Sequence, residues 1–407
     1  MRIAFIRQRY NPFGGAERFV ERATSALAED GAAVTLIARE WSPAAELSQG
    51  ERRLIRCDPP YLGRLWRDLS FKRAVCRLLD RERFDLVQSH ERLACCDVYR
   101  AGDGVHAQWL AHRARAQSAL GRAFTCLSPY HRYVVAAERR LYSSPQVRAV
   151  ICNSQMVRAD ILRHFPIAPA KLRVIYNGVD LEHFHPRVRD AHRAETRLRL
   201  DIRDADMVYL FVGAGFARKG VDRLLRSFTG LELPNARLVI VGKDHALSRS
   251  RRLAERLGIA PRVAFAGGQH DVRPFYAAAD AFVLPSLYDP FPNAAVEALA
   301  CGLPVVTTFQ SGAAELIRPG ENGAVCDALD EVALTRALFE VARLDPVATP
   351  ARARASVAHL GIGAMGKELL ALYRELLSGT TERPDSRDAK ARGLEPVAHA
   401  AGRGTMR

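Results

Sequence analysis

The sequence predicts an α/β protein of two Rossmann-like domains facing each other across a cleft. Three observations predict it. Strand-like and helix-like stretches alternate from the first residue, the alternation runs through two separate series, and a charged, apolar-poor stretch lies between them. At 407 residues the chain is too long for one ordinary core and suits two α/β domains.

The first series opens with the apolar run Arg2–Ile6, then the turn Asn11-Pro12-Phe13-Gly14-Gly15 and a helical pattern from Ala16 to Asp30. Ala33–Ala38, Asp85–Ser89, Val147–Cys152 and Arg173–Tyr176 read as further buried strands. The second series has strand-like runs at Val208–Val212, Arg237–Val241, Val263–Ala266, Ala281–Leu284 and Val305–Thr307. Turn signals and helical stretches such as Val221–Thr229 and Ser248–Leu257 follow them. Pro186–Arg203 is the expected linker. Lys367–Leu377 reads as a last helix, and the polar, Gly/Pro-punctuated sequence beyond it reads as a disordered tail. The expected division is 1–185, 186–360, a closing helix over 361–377 that returns to the N-terminal domain, and a tail over 378–407.

Composition narrows the class. Hydrophobic residues make up 48% and charged residues 26%, the balance of a soluble globular protein, and no apolar run approaches the length of a spanning helix. Met1 leads straight into a strand-like run with no cationic segment before it, so a signal peptide is not expected. The eight cysteines show no paired metal spacing, and reduced thiols in a cytosolic protein are the simpler expectation. The net charge of +15 calls for an anionic partner: nucleic acid, a membrane surface or a phosphorylated substrate. Its distribution is uneven. Residues 106–148 hold seven arginines (113, 115, 122, 132, 139, 140, 148) against the single acid Glu138, with Trp109, Phe124, Tyr130, Tyr133 and Tyr142 among them. That mixture suits an anionic lipid interface. Neither recognition helices nor aromatic RNA-binding strands accompany it, which argues against a nucleic-acid binder.

Two turns can approach a phosphate. Gly14 and Gly15 sit between the first strand and the first helical pattern, where glycine admits close backbone and a helix start offers unpaired N–H groups. Gly213-Ala214-Gly215-Phe216-Ala217-Arg218-Lys219-Gly220 holds the equivalent place in the second series. It fits neither a P-loop nor the dinucleotide fingerprint. It does offer Arg218 and Lys219 at the carboxyl edge of a sheet, where two fixed cations can neutralise a departing diphosphate. The stretch from Tyr288 to Pro304 is the most informative. Asp289 lies in a loop fixed by Pro290 and Pro292, a helix begins near Asn293, and Glu297 follows one turn in among small residues. A carboxylate there can accept both hydroxyls of a ribose, and Asp289 can reach toward a sugar. Asp204 and Asp206 have metal-motif spacing but precede a strand, so no metal is expected.

The paired acids Asp289 and Glu297, followed by Ala-Leu-Ala-Cys-Gly-Leu-Pro-Val-Val-Thr, resemble the motif of family 4 retaining glycosyltransferases of GT-B fold. Gly14-Gly15-Ala16-Glu17-Arg18, Tyr176-Asn177-Gly178-Val179-Asp180 and Arg218-Lys219-Gly220 resemble its other hallmarks in the same order, over about residues 1–345. Tyr10 to Gly15, Gly213 to Arg223, Asp97 to Asp103 and Ser128 to Arg139 are similar to segments of the members that build the lipopolysaccharide core. Asp289 stands where the family usually has Glu, and Phe19 where those members tend to carry an acid. The resemblance implies a retaining hexosyltransferase, with a nucleotide-sugar donor, UDP-glucose foremost, and a glycolipid acceptor. It implies attachment to the inner face of the plasma membrane and no cofactor. It assigns the donor to Gly14, Gly15, Arg218, Lys219, Asp289, Phe291, Pro292, Asn293 and Glu297. Catalytic contributions fall to Arg218, Lys219, Asp103 and His106, the last two on the acceptor side. A mannosyl- or N-acetylglucosaminyltransferase of polysaccharide assembly and a nucleotide-sugar epimerase are the competing enzymes.

Overall fold

In a parallel sheet both faces are covered by helices, so its strands need near-continuous apolar sequence rather than alternation. The chain supplies two such sets. The computed structural model describes residues 1–10, 31–41 and 52–379. The helical pattern read over Ala16–Asp30 and the tail beyond residue 379 lie outside the described residues.

The N-terminal sheet contains β1 (Arg2–Ile6), β3 (Ala33–Ala38), β5 (Arg52–Arg56), β6 (Leu86–Ser89), β7 (Val98–Arg100), β8 (Ala149–Cys152) and β9 (Leu172–Val174). Their order is β5-β3-β1-β6-β7-β8-β9, with every neighbouring pair parallel. The short β2 (Arg9–Tyr10) and β4 (Glu40–Trp41) pair beside it. The second sheet has the order β12-β11-β10-β13-β14-β15. Its strands are β10 (Met207–Val212), β11 (Ala236–Val241), β12 (Val263–Gly267), β13 (Ala281–Val283), β14 (Val305–Thr308) and β15 (Gly323–Cys326). All its pairings are parallel too, and most of β10, β11, β13 and β14 is buried on both faces. Two-domain α/β architecture is what the alternation predicted.

The closing helix runs Ile362–Ser378 and returns to the first domain. Met365, Leu369, Leu372, Tyr373 and Leu376 form one apolar face at helical spacing. They share a core with Ile3, Phe5, Leu86, Val98, Ala149 and Ile151.

Two expectations are corrected. Pro186–Arg203 is not a loose connection but carries the helix Val188–Arg199. Three of its arginines, Arg189, Arg193 and Arg197, repeat every four residues and so share one face. Arg189, Arg193 and Arg197 all reach the Asp280 carboxylate, at 3.3, 2.8 and 2.6 Å. They also donate to the carbonyls of Ala277, Ala278 and Ala279 at the end of the helix Arg273–Ala278, where the helix dipole favours cations. Arg197 is buried in this clamp, whereas Arg189 stays about half exposed. The second correction concerns the thiols. Cys76, on the helix Gly63–Arg81, is bonded to Cys95, with their Cα atoms 6.0 Å apart. The helix lays Cys76 against the loop between β6 and β7, so Cys95 meets a distant partner rather than its neighbour Cys96. Cys57, Cys96, Cys126, Cys152, Cys301 and Cys326 are free thiols.

Candidate active site

Parallel strands put all their following loops at one edge, and in the C-terminal domain this edge gathers the sequence-predicted residues. After β10 the chain turns through Gly213–Gly215 into the short helix Phe216–Lys219, then through Gly220 into the helix Val221–Thr229. Gly220 has φ +80°, and a Cβ there would lie 2.2 Å from the Pro285 carbonyl oxygen, so only glycine lets the two loops meet. Asp244 takes the N–H groups of Gly215 (2.6 Å) and Phe216 (3.0 Å), which commits this helix start to an internal carboxylate. The side chains of Arg218 and Lys219 therefore carry what the turn offers an anion.

Both cations face Asp289. The Asp289 carboxylate is 3.3 Å from Arg218 and 3.7 Å from Lys219. Burial pushes the Lys219 ammonium below its usual range, and Asp289 opposes that shift. Arg218 also donates to the Tyr288 carbonyl at 2.8 Å and remains 40% exposed, so it can meet a ligand. The helix Asn293–Ala300 follows, with Pro292 as its cap and Glu297 6% exposed. Tyr276 donates to Glu297 at 3.1 Å, and its hydroxyl lies 3.0 Å from the Ala294 carbonyl. Glu297 lines a narrow crevice with Asn177, Gly178, Val179, Asn293 and Val296. Phe291 is buried in the core against Tyr176, and Asn293 accepts from Asn177 at 2.8 Å. The paired-acid stretch thus brings Asp289, Arg218 and Lys219 into one cluster, with Glu297 one turn into the following helix. Gly14 and Gly15 lie outside the described residues.

On the N-terminal side Asp103 is exposed after β7. His106 opens the helix His106–Arg115, and its N–H donates to the buried Glu138 at 2.8 Å. Its ring meets His131 at 3.1 Å and lies against Trp109. Burial, with Arg92, His131 and Arg113 nearby, pushes the His106 pKa to about 3, so the ring is neutral. A ring so weakly basic can orient a hydroxyl but is a poor proton acceptor. The acid of the metal-like pair, Asp206, is buried and bonded to Arg203 (2.7 Å) and Arg237 (3.2 Å).

The contacts between domains were not legible in the sequence. Arg115 holds Asp327 through bonds of 3.1 and 3.0 Å. Glu315 accepts from the Gln155 N–H and the Tyr176 hydroxyl, and Tyr288 bonds Asp160 and Val105 across the cleft. Each partner is remote in sequence; Arg115, Tyr176 and Tyr288 stood out beforehand, but not as contacts between domains.

Two parallel α/β domains in contact over an edge of paired acids and fixed cations define a two-domain glycosyltransferase of the GT-B kind. The chain matches the family described as Glycosyltransferase Family 4 over residues 13–183 and that described as Glycosyl transferases group 1 over residues 192–355. Together these stretches take in most of the chain, which belongs to the family 4 glycosyltransferases. It is 27% identical to the lipopolysaccharide glucosyltransferase WaaG of Escherichia coli K12, over 80% of this chain and 85% of that protein. It is 28% identical to a D-inositol 3-phosphate glycosyltransferase of Mycolicibacterium smegmatis, over 79% and 72% of the two chains. A 148-residue stretch is 36% identical to the lipopolysaccharide core biosynthesis glycosyltransferase LpsE of Rhizobium meliloti, covering 36% of this chain and 43% of that one. Among solved structures, WaaG superposes with a TM-score of 0.77 at 23% identity, over 93% of this chain and all of that one. Anabaena HepE in complex with UDP and glucose superposes with a TM-score of 0.70 at 21% identity, over the same shares.

Proposed function

We propose that this glycosyltransferase moves a hexose, glucose from UDP-glucose foremost, onto the lipopolysaccharide core or a related cell-surface glycolipid. The observation that carries the proposal is the cluster of Arg218, Lys219 and Asp289 next to the helix that holds Glu297. The similarity to WaaG over 80% of this chain supports the lipopolysaccharide acceptor, and the likeness to a UDP-bound fold is consistent with the donor.

In this reading Glu297 accepts the two ribose hydroxyls and Asp289 contacts the sugar, while Asn293 faces the ligand from the helix start. Arg218 and Lys219 meet the diphosphate and stabilise the charge that develops as the glycosidic bond breaks, a role that calls for no metal ion. The acceptor hydroxyl attacks from the face that the diphosphate leaves, and its proton passes to the leaving phosphate oxygen. Configuration at the anomeric carbon is retained. Asp103 and the neutral His106 orient the acceptor.

The acceptor side also fits a membrane surface. No helix of the described residues is long and apolar enough to cross one. The helix Ala119–Leu127 instead has no buried residue, and Leu120, Phe124 and Leu127 on one face are 71%, 70% and 71% exposed. Arg122 on this helix and Arg132, Arg139 and Arg140 on the following helix Pro129–Tyr142 are exposed. Such a face suits anionic lipid on the cytoplasmic side of the inner membrane. Three other arginines of that segment are engaged elsewhere. Arg113 lies over Trp109, Arg115 is paired with Asp327, and Arg148 donates to the Leu376 carbonyl.

A panel of nucleotide sugars tests the reading, each offered with core-truncated lipopolysaccharide. Transfer from UDP-glucose above all others supports it. Transfer only from GDP-mannose or UDP-N-acetylglucosamine selects the other family 4 readings, and a changed nucleotide sugar with no acceptor product selects an epimerase.

A further inference from the structure

Tyr288 belongs to the donor-side loop, yet its ring is 2% exposed inside the N-terminal domain's wall of the cleft. Its hydroxyl donates to Asp160 at 3.1 Å and accepts from the Val105 N–H at 3.0 Å. The His112 ring stacks on it, with centroids 5.7 Å apart and planes 29° from parallel. The pocket is shaped for this ring. Gly104 has φ +71°, and a Cβ there would stand 2.5 Å from the Tyr288 hydroxyl oxygen and 2.8 Å from Pro290 Cγ. Asp160 is 4% exposed, and its other oxygen meets Arg163 at 3.3 Å.

The backbone of the same segment holds the donor-side cation. The Tyr288 carbonyl accepts from Arg218 at 2.8 Å, the Leu287 N–H donates to the Arg218 carbonyl at 2.8 Å, and Asp289 is ion-paired with Arg218. Residues 287–289 are therefore gripped at the ring by one domain and grip Arg218 in the other.

We propose that Tyr288 is a positioning residue whose docking in the Gly104–Val105–Asp160 pocket ties closure of the two domains to the placement of Arg218 and Asp289. The inference rests on the reading of those two residues as donor-side groups. When the domains part, the Val105 N–H and the Asp160 carboxylate lose their partner, so the hydroxyl favours the closed state. When they close, the loop behind the ring is fixed and the guanidinium with it. Cations preorganised in this way act on the transition state more than on donor binding.

The test uses the full chain with Tyr288→Phe, Asp160→Ala and the double variant, UDP as the probe, and three readouts. Tyr288→Phe keeps the ring and removes both hydroxyl bonds. Its kcat is expected to fall about tenfold or more, since losing two buried hydrogen bonds shifts a closed–open equilibrium by at least that factor. UDP affinity by calorimetry is expected to stay within about threefold of the parent. Small-angle scattering with UDP is expected to give a larger radius of gyration. In the Asp160→Ala background, Tyr288→Phe is expected to cost much less than it does alone. A UDP-bound Tyr288→Phe protein as compact as the parent overturns the proposal, as does a fully additive double variant. Asp160→Ala carries the same scattering test if Tyr288→Phe does not fold. Scattering and UDP binding need no transfer activity. A parent that transfers no hexose therefore counts against the proposed function, while compactness still decides the role of Tyr288.

Discussion

Glu297→Ala is the substitution from which most can be worked out in advance. The carboxylate is 6% exposed and accepts from Tyr276 at 3.1 Å, but that hydroxyl also lies 3.0 Å from the Ala294 carbonyl. Truncation leaves the Tyr276 hydroxyl a partner in the Ala294 carbonyl. The fold should therefore survive with a small loss of stability. Donor binding should not. Two ribose hydroxyls donating to one carboxylate are charge-assisted bonds, and losing the pair should cost about 3 kcal/mol, or roughly a hundredfold in kcat/KM. The loss should divide between a higher donor KM and a lower kcat, because a ribose no longer held misplaces the anomeric carbon. Glu297→Gln keeps one oxygen acceptor and should recover part of it. Steady-state kinetics with the nucleotide sugar varied, UDP calorimetry and a thermal melt together give the answer. A melt close to the parent's with kcat/KM within about threefold would refute the ribose assignment.

Arg218→Ala should lower kcat about a hundredfold, the usual effect of removing one preorganised donor to developing charge, with much less change in UDP affinity. Activity of the parent should persist in EDTA, and strict dependence on a divalent ion would contradict the proposed role of Arg218 and Lys219. Flotation with anionic vesicles should retain the parent, weaken with salt, and fail when Arg122, Arg132, Arg139 and Arg140 become Gln, each basic residue being worth about 1 kcal/mol near such a surface. Flotation of that variant alongside the parent, with loss of acceptor use, would assign these arginines to substrate. Burial raises the Asp160 pKa from 3.8 to about 6. The unfolded chain releases this proton first as pH rises, so the contribution to stability is present below 3.8 and is lost through about 6. Urea midpoints of the parent, referred to Asp160→Asn, should fall across that window and level off above it. A difference that is flat with pH would contradict the burial argument.

Much of the fold was readable because parallel strands must be apolar on both faces. Val208–Val212, Arg237–Val241 and Val305–Thr307 stand out for that reason and were placed to within a residue. β5, with the sequence Arg-Arg-Leu-Ile-Arg, lies at the sheet edge, where charged side chains reach solvent, and its composition hides it. The helix Val188–Arg199 was hidden by the opposite error, since Arg189, Arg193 and Arg197 serve the largely buried Asp280 and a helix terminus rather than water alone. The clustering of Arg218, Lys219 and Asp289 beside the helix of Glu297 was legible because these residues fall within short stretches whose spacing reports their geometry. Tyr288, Asp160, Glu315 and Asp327 act through partners more than a hundred residues away, and nothing local to them signals it.

The most direct test of the whole account follows the sugar itself. UDP-glucose labelled in the hexose, core-truncated lipopolysaccharide and EDTA are mixed with the parent and with Glu297→Ala, and the glycolipid is analysed by mass spectrometry and NMR. The account predicts one labelled hexose on the glycolipid, joined with the α configuration of the donor, and roughly a hundredfold slower product formation by the variant at low donor concentration. Label that stays on the nucleotide, appears only as free glucose, or arrives with the β configuration would contradict it.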